Sequence, residues 1–193
     1  MRVSGGRWRG RNLAVPKTDE VRPTQDRVRE ALFSMLQNEI PGCSFLDLFA
    51  GSGAVGIEAL SRGAARATFV EAEPRHLAVL AKNLALVVPD GAERAASAET
   101  VRADVYSWVA TAGRGRRFDV VYCDPPYALG AERGCAEMLA ALASGDTVRP
   151  GGLFVAEMKC SQAPDEVAGW TLCRDRRYGQ TRVAVYLRDA EEA

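Results

Sequence analysis

Histidine is almost missing from this sequence: His76 is the only one in 193 residues. The five cysteines, Cys43, Cys123, Cys135, Cys160 and Cys173, are scattered and form no Cys-x-x-Cys pair. That combination excludes the usual Cys/His metal clusters, so no metal is expected. An odd cysteine count without short spacings also argues against a disulfide framework, and the thiols read as reduced and mostly buried. Long apolar runs are lacking too, and none approaches the roughly 18 residues that a membrane span needs. The start, Met1-Arg2-Val3-Ser4-Gly5-Gly6, has no apolar stretch of the kind a secretory signal carries. The expectation is a cytoplasmic protein with no membrane partner. Acidic residues are absent from the first 18 positions, where Arg2, Arg7, Arg9, Arg11 and Lys17 give a charge of +5 in a chain that is neutral overall. A basic arm with Trp8 inside it has the charge to meet nucleic-acid phosphates. On charge alone, a solvated tail is an equal reading.

What is present describes one globular domain. Hydrophobic residues make up 47% and charged residues 26%, and the chain is long enough to bury a core without cross-links. From residue 44 onward, short β-rich runs alternate with helical ones, which predicts an α/β fold with a parallel sheet. Strands are expected over 44–48, 67–70, 100–103, 118–123 and 152–157. A final hairpin is expected over 171–174 and 182–187, around Tyr178-Gly179-Gln180. Helices are expected over 27–37, 55–61, 76–86 and 132–142, the first capped by Asp26 with Val28, Ala31, Leu32 and Met35 on one face. Residues 88–99 and 111–117 read as surface loops. The expected organisation is a basic arm or hairpin over 1–23, one domain over 24–189 and a tail over 190–193. Nothing signals self-association, so a monomer is expected.

Two segments carry chemistry. The first is Asp47-Leu48-Phe49-Ala50-Gly51-Ser52-Gly53-Ala54-Val55-Gly56, between the first strand and the helix that follows. Glycines there let the chain turn tightly and let a ligand approach the backbone. Glu71 ends the next strand, 20 residues after Gly51, where a carboxylate can accept from both ribose hydroxyls. Glu73 is the alternative for that contact. Asp104, ending the third strand, can accept from an adenine amino group. These features predict an adenosine-containing cofactor, with S-adenosylmethionine and NAD both open at this point.

The second segment, Asp124-Pro125-Pro126-Tyr127, ends the most apolar strand. Two adjacent prolines remove two backbone donors and fix φ, which leaves a rigid corner of acceptors: the Asp124 carboxylate and the Pro125 carbonyl. An amino group on an aromatic ring is a weak nucleophile because its lone pair is delocalised into the ring. Two acceptors on its hydrogens favour a more tetrahedral nitrogen, and a stacked Tyr127 fixes the plane of the base. No proton relay of the kind a dehydrogenase needs is evident, which favours S-adenosylmethionine over NAD. Guanine, adenine and cytosine all offer such an amine, so an adenine-N6 or cytosine-N4 DNA methyltransferase stays open, and an NAD-dependent oxidoreductase is the weaker alternative.

The order Asp47-Leu-Phe-Ala-Gly-Ser-Gly-Ala followed by Asp124-Pro-Pro-Tyr resembles the class I amino-methyltransferases of nucleic acids. Three further blocks, Arg2-Val-Ser-Gly-Gly-Arg-Trp-Arg-Gly-Arg11, Arg22-Pro-Thr-Gln-Asp-Arg-Val-Arg-Glu-Ala-Leu-Phe33 and Gly56-Ile-Glu-Ala-Leu-Ser-Arg-Gly-Ala64, resemble the bacterial 16S ribosomal RNA guanine-N2 methyltransferases. The resemblance runs from residue 2 to Thr181. It implies a class I S-adenosylmethionine-dependent methyltransferase fold: a Rossmann-like, seven-stranded, mostly parallel sheet with an antiparallel C-terminal strand and a short basic N-terminal extension. It implies a cofactor site of Asp47, Phe49, Ala50, Gly51, Ser52, Gly53, Glu71, Ala72, Asp104 and Val105, approached by Thr24 and Arg27. Asp124, Pro125 and Tyr127 would hold the flipped guanine. Arg2, Arg7, Trp8, Arg9, Arg11 and Lys17 would dock on 16S ribosomal RNA in the small subunit or its assembly intermediate. Cys123 stands where the family more often has an aliphatic residue, and it is expected only to pack.

Overall fold

The computed structural model describes residues 1–16, 26–87 and 97–190, with the side chains of 127–134 outside that set. Among the described residues, five helices and seven strands follow in chain order: α1 (Asp26–Met35), β1 (Ser44–Leu48), α2 (Ala54–Ser61), β2 (Arg66–Glu71), α3 (Pro74–Val87), β3 (Ala98–Arg102), α4 (Val105–Ala110), β4 (Phe118–Cys123), α5 (Tyr127–Ser144), β5 (Val148–Lys159), β6 (Trp170–Tyr178) and β7 (Thr181–Arg188). The strands form one sheet in the order β3-β2-β1-β4-β5-β7-β6. Strands β1 to β5 pair in parallel, while β7 runs antiparallel to both β5 and β6. The chain winds outward from β1 to β3, then crosses back to lay β4 on the other side of β1. Loops leaving β1 and β4 therefore diverge, which opens a crevice at their carboxyl ends.

Strand alternation splits the core in two. Phe45, Phe69, Tyr122 and Val155 face α1, α2 and α3, whereas Leu46, Val70, Val121 and Phe154 face α4 and α5. All five residues of β1 are buried, as its near-continuous apolar run requires of a central parallel strand. Gly56 sits where α2 presses on β2: a Cβ there would fall 2.3 Å from Phe69 Cε1. The third glycine of the loop thus serves helix–sheet contact.

The basic N-terminal segment is folded onto the domain. Val3 N–H donates to Arg11 O at 2.9 Å, Gly10 N–H to Val3 O at 2.8 Å and Leu13 N–H to Met1 O at 2.8 Å, closing a hairpin. Val3, Trp8 and Leu13 are buried. Trp8 was expected to meet nucleic acid; the structure corrects this, because only 7% of it is exposed and it anchors the hairpin in the core. Glu58 of α2, fully buried, accepts from Ser4 N–H and Ser4 Oγ at 2.8 Å each, and pairs with Arg29 at 3.4 Å and Arg62 at 2.7 Å. One carboxylate therefore joins the hairpin, α1 and α2.

Several boundaries differ from expectation. Helix α4 was not anticipated, since Val105-Tyr106-Ser107-Trp108-Val109-Ala110 is β-rich in composition. It forms because Asp104 caps it, accepting from Ser107 N–H at 2.9 Å. Strand β3 begins at Ala98, two residues before the expected start, inside a stretch read as loop. Its burial is irregular, so its apolar pattern is weak. Strand β5 spans twelve residues, running through Pro150-Gly151 into both its neighbours. Helix α5 starts at Tyr127, directly after the proline corner. Most of the expected loop, 88–96, lies outside the described residues. Among the described residues, no helix is long and apolar enough to cross a membrane.

Candidate active site

At the crevice lies a cleft of about 1650 Å³, lined by the ends of β1, β2, β4 and β5, the start of α1 and the β6–β7 turn. The glycine loop forms its floor. Phe49 takes φ of 61°, an uncommon conformation for a side-chain-bearing residue. The turn is closed by Ala50 N–H to Val70 O at 3.1 Å and Gly53 N–H to Ala50 O at 2.7 Å. Gly53 (φ 75°) starts α2, and a Cβ there would meet Leu80 Cδ1 at 2.1 Å. It was expected to line the cofactor site. It is not among the residues that line the cleft; the side on which a Cβ would project is filled by Leu80 of α3, and its positive φ lets the turn close.

Glu71 is buried at the end of β2. Its Oε2 accepts from Gly51 N–H and its Oε1 from Glu73 N–H, both at 2.8 Å. A carboxylate has about four acceptor sites, so two remain for ligand hydroxyls. Glu73 is exposed and accepts from Arg75 N–H at 3.2 Å, a local turn bond. Asp47 is buried beneath the loop, with Gly56 N–H donating to it at 2.8 Å. Burial pushes its carboxyl up to about 8, the Gly56 bond opposes that rise, and the nearby Glu71 charge adds to it.

On the opposite wall stand Asp124 and Pro125. Removal from water pushes the Asp124 carboxyl well above the usual range, and the charges of Glu157 and Asp47 push the same way. Glu157, at the end of β5, accepts from Tyr122 Oη at 2.7 Å, and desolvation raises its carboxyl too. Cys123 is buried and packs.

Of the residues singled out from the sequence, Arg27, Asp47, Phe49, Ala50, Gly51, Ser52, Glu71, Ala72, Asp104, Val105, Asp124 and Pro125 come together around this one cleft. Thr24 and Lys17 lie outside the described residues, as does the Tyr127 side chain. Arg2, Arg7, Arg9 and Arg11 sit on the hairpin; Arg7 lies over Trp8 at 4.1 Å and Arg11 Nη1 donates to Leu86 O at 2.6 Å. Sequence reasoning missed His76, whose Nδ1 is 3.5 Å from Glu71 Oε1, and it missed Tyr122, Glu157 and Gln180. Glu157 carried a readable signal: an acid at the carboxyl end of an apolar strand, as at Asp124.

The donors fit an adenosine-bearing sulfonium ligand. One end of the cleft offers Glu71 with unused acceptor sites and the backbone of a glycine turn; the other offers carboxyls suited to a cation. The family described as conserved hypothetical protein 95 matches residues 1–187. The ribosomal RNA small subunit methyltransferase D of Escherichia coli is 37% identical over 192 residues, covering 99% of this chain and 91% of that protein. Its namesake in Haemophilus influenzae is 31% identical over 186 residues, covering 96% of this chain and 93% of that protein. The solved structure of yhhF from Escherichia coli superposes with a TM-score of 0.83 at 37% identity, covering 99% of both chains. The sheet order, with its antiparallel C-terminal strands, is the class I methyltransferase fold expected from the sequence. By match to the family and by near-complete coverage of these relatives, the chain belongs to the conserved hypothetical protein 95 family, with the ribosomal RNA small subunit methyltransferase D proteins among its members.

Proposed function

We propose that this protein transfers a methyl group from S-adenosylmethionine to the exocyclic N2 of a guanine in the 16S ribosomal RNA of the small subunit. The observation that carries the reading is the juxtaposition of the Glu71–Gly51 loop with the Asp124-Pro125 corner across one cleft. The names of the full-length relatives point to ribosomal RNA of the small subunit as the acceptor. The bound cofactor supplies an electrophilic methyl group on a sulfonium. Glu71 holds the ribose, Asp104 at the start of α4 accepts from the adenine, and the 49–52 backbone shapes the methionine end. Asp124 and the Pro125 carbonyl accept from the two amine hydrogens, which aims the nitrogen lone pair, and Tyr127 stacks on the base. The amine nitrogen would take the methyl carbon as its bond to sulfur breaks, leaving a neutral thioether, and the proton lost from the amine would pass to Asp124 or to water. Asp124 ionises more readily beside a cation than in the ligand-free cleft. On the hairpin, Arg2, Arg7, Arg9 and Arg11, continued by Lys17, contact RNA phosphates.

The test is transfer of tritiated methyl groups to unmethylated small subunits, naked 16S RNA and duplex DNA, followed by nucleoside mass spectrometry. N2-methylguanosine from subunits or RNA is the expected product. Methyladenine or methylcytosine in DNA would replace this reading with the DNA one. A second expectation concerns the cofactor alone. Glu71→Ala removes charge-assisted hydrogen bonds and should weaken S-adenosylmethionine binding by about 30-fold, read by calorimetry. An unchanged Kd would move the ribose contact elsewhere.

A further inference from the structure

The proline corner explains how an exocyclic amine is held, but guanine, adenine and cytosine all carry one. What separates them is the ring nitrogen beside the amine. Guanine N1 bears a hydrogen and donates; adenine N1 and cytosine N3 present a lone pair and accept. A side chain facing that ring position therefore decides which base is seated.

Glu157 occupies the place from which that position can be read. Strands β4 and β5 pair Tyr122 with Val155 and Cys123 with Ala156, so the next residues of the two strands, Asp124 and Glu157, emerge as neighbours at the carboxyl end. Side chains alternate across the sheet: Tyr122 and Val155 face one core, Cys123 and Ala156 the other. Asp124 and Glu157 thus return to the face of Tyr122, and both line the cleft. The Tyr122 hydroxyl donates to Glu157 Oε2 at 2.7 Å and fixes the carboxyl. That bond leaves Oε1 to meet a ligand.

We propose that Glu157 is the residue that selects guanine, its carboxylate accepting from ring N1–H while Asp124 and the Pro125 carbonyl hold the N2 amine. This inference rests on reading the cleft as the site of base methylation. The expense of placing Glu157 here supports it. Desolvation disfavours its ionised form against the opposing Tyr122 bond, its charge in turn pushes the Asp124 carboxyl up, and an amide would accept from Tyr122 at lower cost. A carboxylate retained beside another carboxylate suits two donors presented side by side, which the guanine edge supplies. Against adenine or cytosine, the same carboxylate faces a lone pair and repels it.

A probe of this contact is 2,6-diaminopurine, which keeps the N2 amine of guanine but has an acceptor at N1 and an amine in place of the 6-oxo group. Small subunits are reconstituted on ribosomal RNA ligated to carry either guanosine or 2,6-diaminopurine at the methylated position, and initial rates are compared. Wild type should prefer guanosine by about 30-fold, the worth of one hydrogen bond to a charged acceptor. In Glu157→Gln the amide can turn its NH2 toward the diaminopurine nitrogen, so the preference should shrink to about threefold or less. Equal rates for wild type on both subunits, or an unchanged preference in Glu157→Gln, would overturn the proposal. Because the 6-position change is the same for both enzymes, the change of preference in Glu157→Gln assigns the discrimination to this side chain, and calorimetric binding of S-adenosylmethionine shows that the variant cleft is intact. If guanosine subunits themselves yield no N2-methylguanosine, the reading of the cleft fails, a result distinct from loss of the preference.

Discussion

Asp124→Ala should lower methyl transfer to small subunits by about 10³-fold while leaving S-adenosylmethionine affinity within about threefold. The split follows from position. Asp124 stands across the cleft from Glu71 and the glycine loop, so the cofactor's ribose and adenine contacts survive its loss. What disappears is an acceptor that makes the amine nucleophilic, an interaction needed most as the N–C bond forms. Asp124→Asn is the sharper control, because the amide keeps one acceptor but turns a donor toward an amine that is itself a donor. It should be nearly as impaired. The pH dependence follows from the same carboxyl. Its folded value is raised by burial and by Glu157 and Asp47, and the ionised form is the working one. Wild-type kcat/KM should therefore fall as pH drops, from a limb above the ordinary carboxylate range. Single-turnover rates across pH, with calorimetry for the cofactor, check both statements. A large loss of cofactor affinity in Asp124→Ala would remove Asp124 from the base side of the site.

The glycine loop and the proline corner were legible because each compresses its constraint into adjacent residues. A turn that needs φ of 55–75° at Phe49, Gly51 and Gly53, or a corner without donors, leaves a short pattern in the chain. Glu71 was legible because strand length fixes its distance from Gly51. Features that depend on what arrives from elsewhere were not. Trp8 looks like an RNA contact among arginines until Val3 and Leu13 are seen to carry it into the core. Gly53 looks like ligand-facing glycine until Leu80 of α3 is found against it. His76 enters the cleft because α3 starts two residues before it, beside Glu71. Glu157 left a local trace as an acid late in an apolar strand, but its place beside Asp124 needed the β4–β5 register. Helix α4 was hidden by its β-like composition, and its signal lay in Asp104, which had been given a ligand role alone.

The largest stability effect is expected at Glu58, away from the cleft. Glu58→Ala should cost about 3–5 kcal/mol, because it removes the buried one of the two carboxylates paired with the fully buried Arg29 and the acceptor of Ser4. In a chain of this size that corresponds to a fall in Tm of roughly 10 °C by scanning calorimetry. The loss has three parts. Arg29 keeps the exposed Asp26 at 2.9 Å and the Arg2 carbonyl, which compensate its charge only in part. Arg62 is partly exposed and can turn to water. Ser4 loses the acceptor for both its N–H and its hydroxyl, so the hairpin loses its tie to α2. Arg29→Met alone should also destabilise, since it leaves Glu58 buried with a weaker set of partners. The double variant Glu58→Leu, Arg29→Met should recover much of the loss, because removing both charges removes the desolvation cost along with the attraction. Additive losses in the double variant would show that the pair acts through packing, and an unchanged Tm in Glu58→Ala would show that the carboxylate does not hold the hairpin. The hairpin is also the proposed RNA-docking element. The same variant should therefore weaken binding to small subunits more than binding to the cofactor, since the side-chain partners of Glu58, Ser4, Arg29 and Arg62, do not line the cleft.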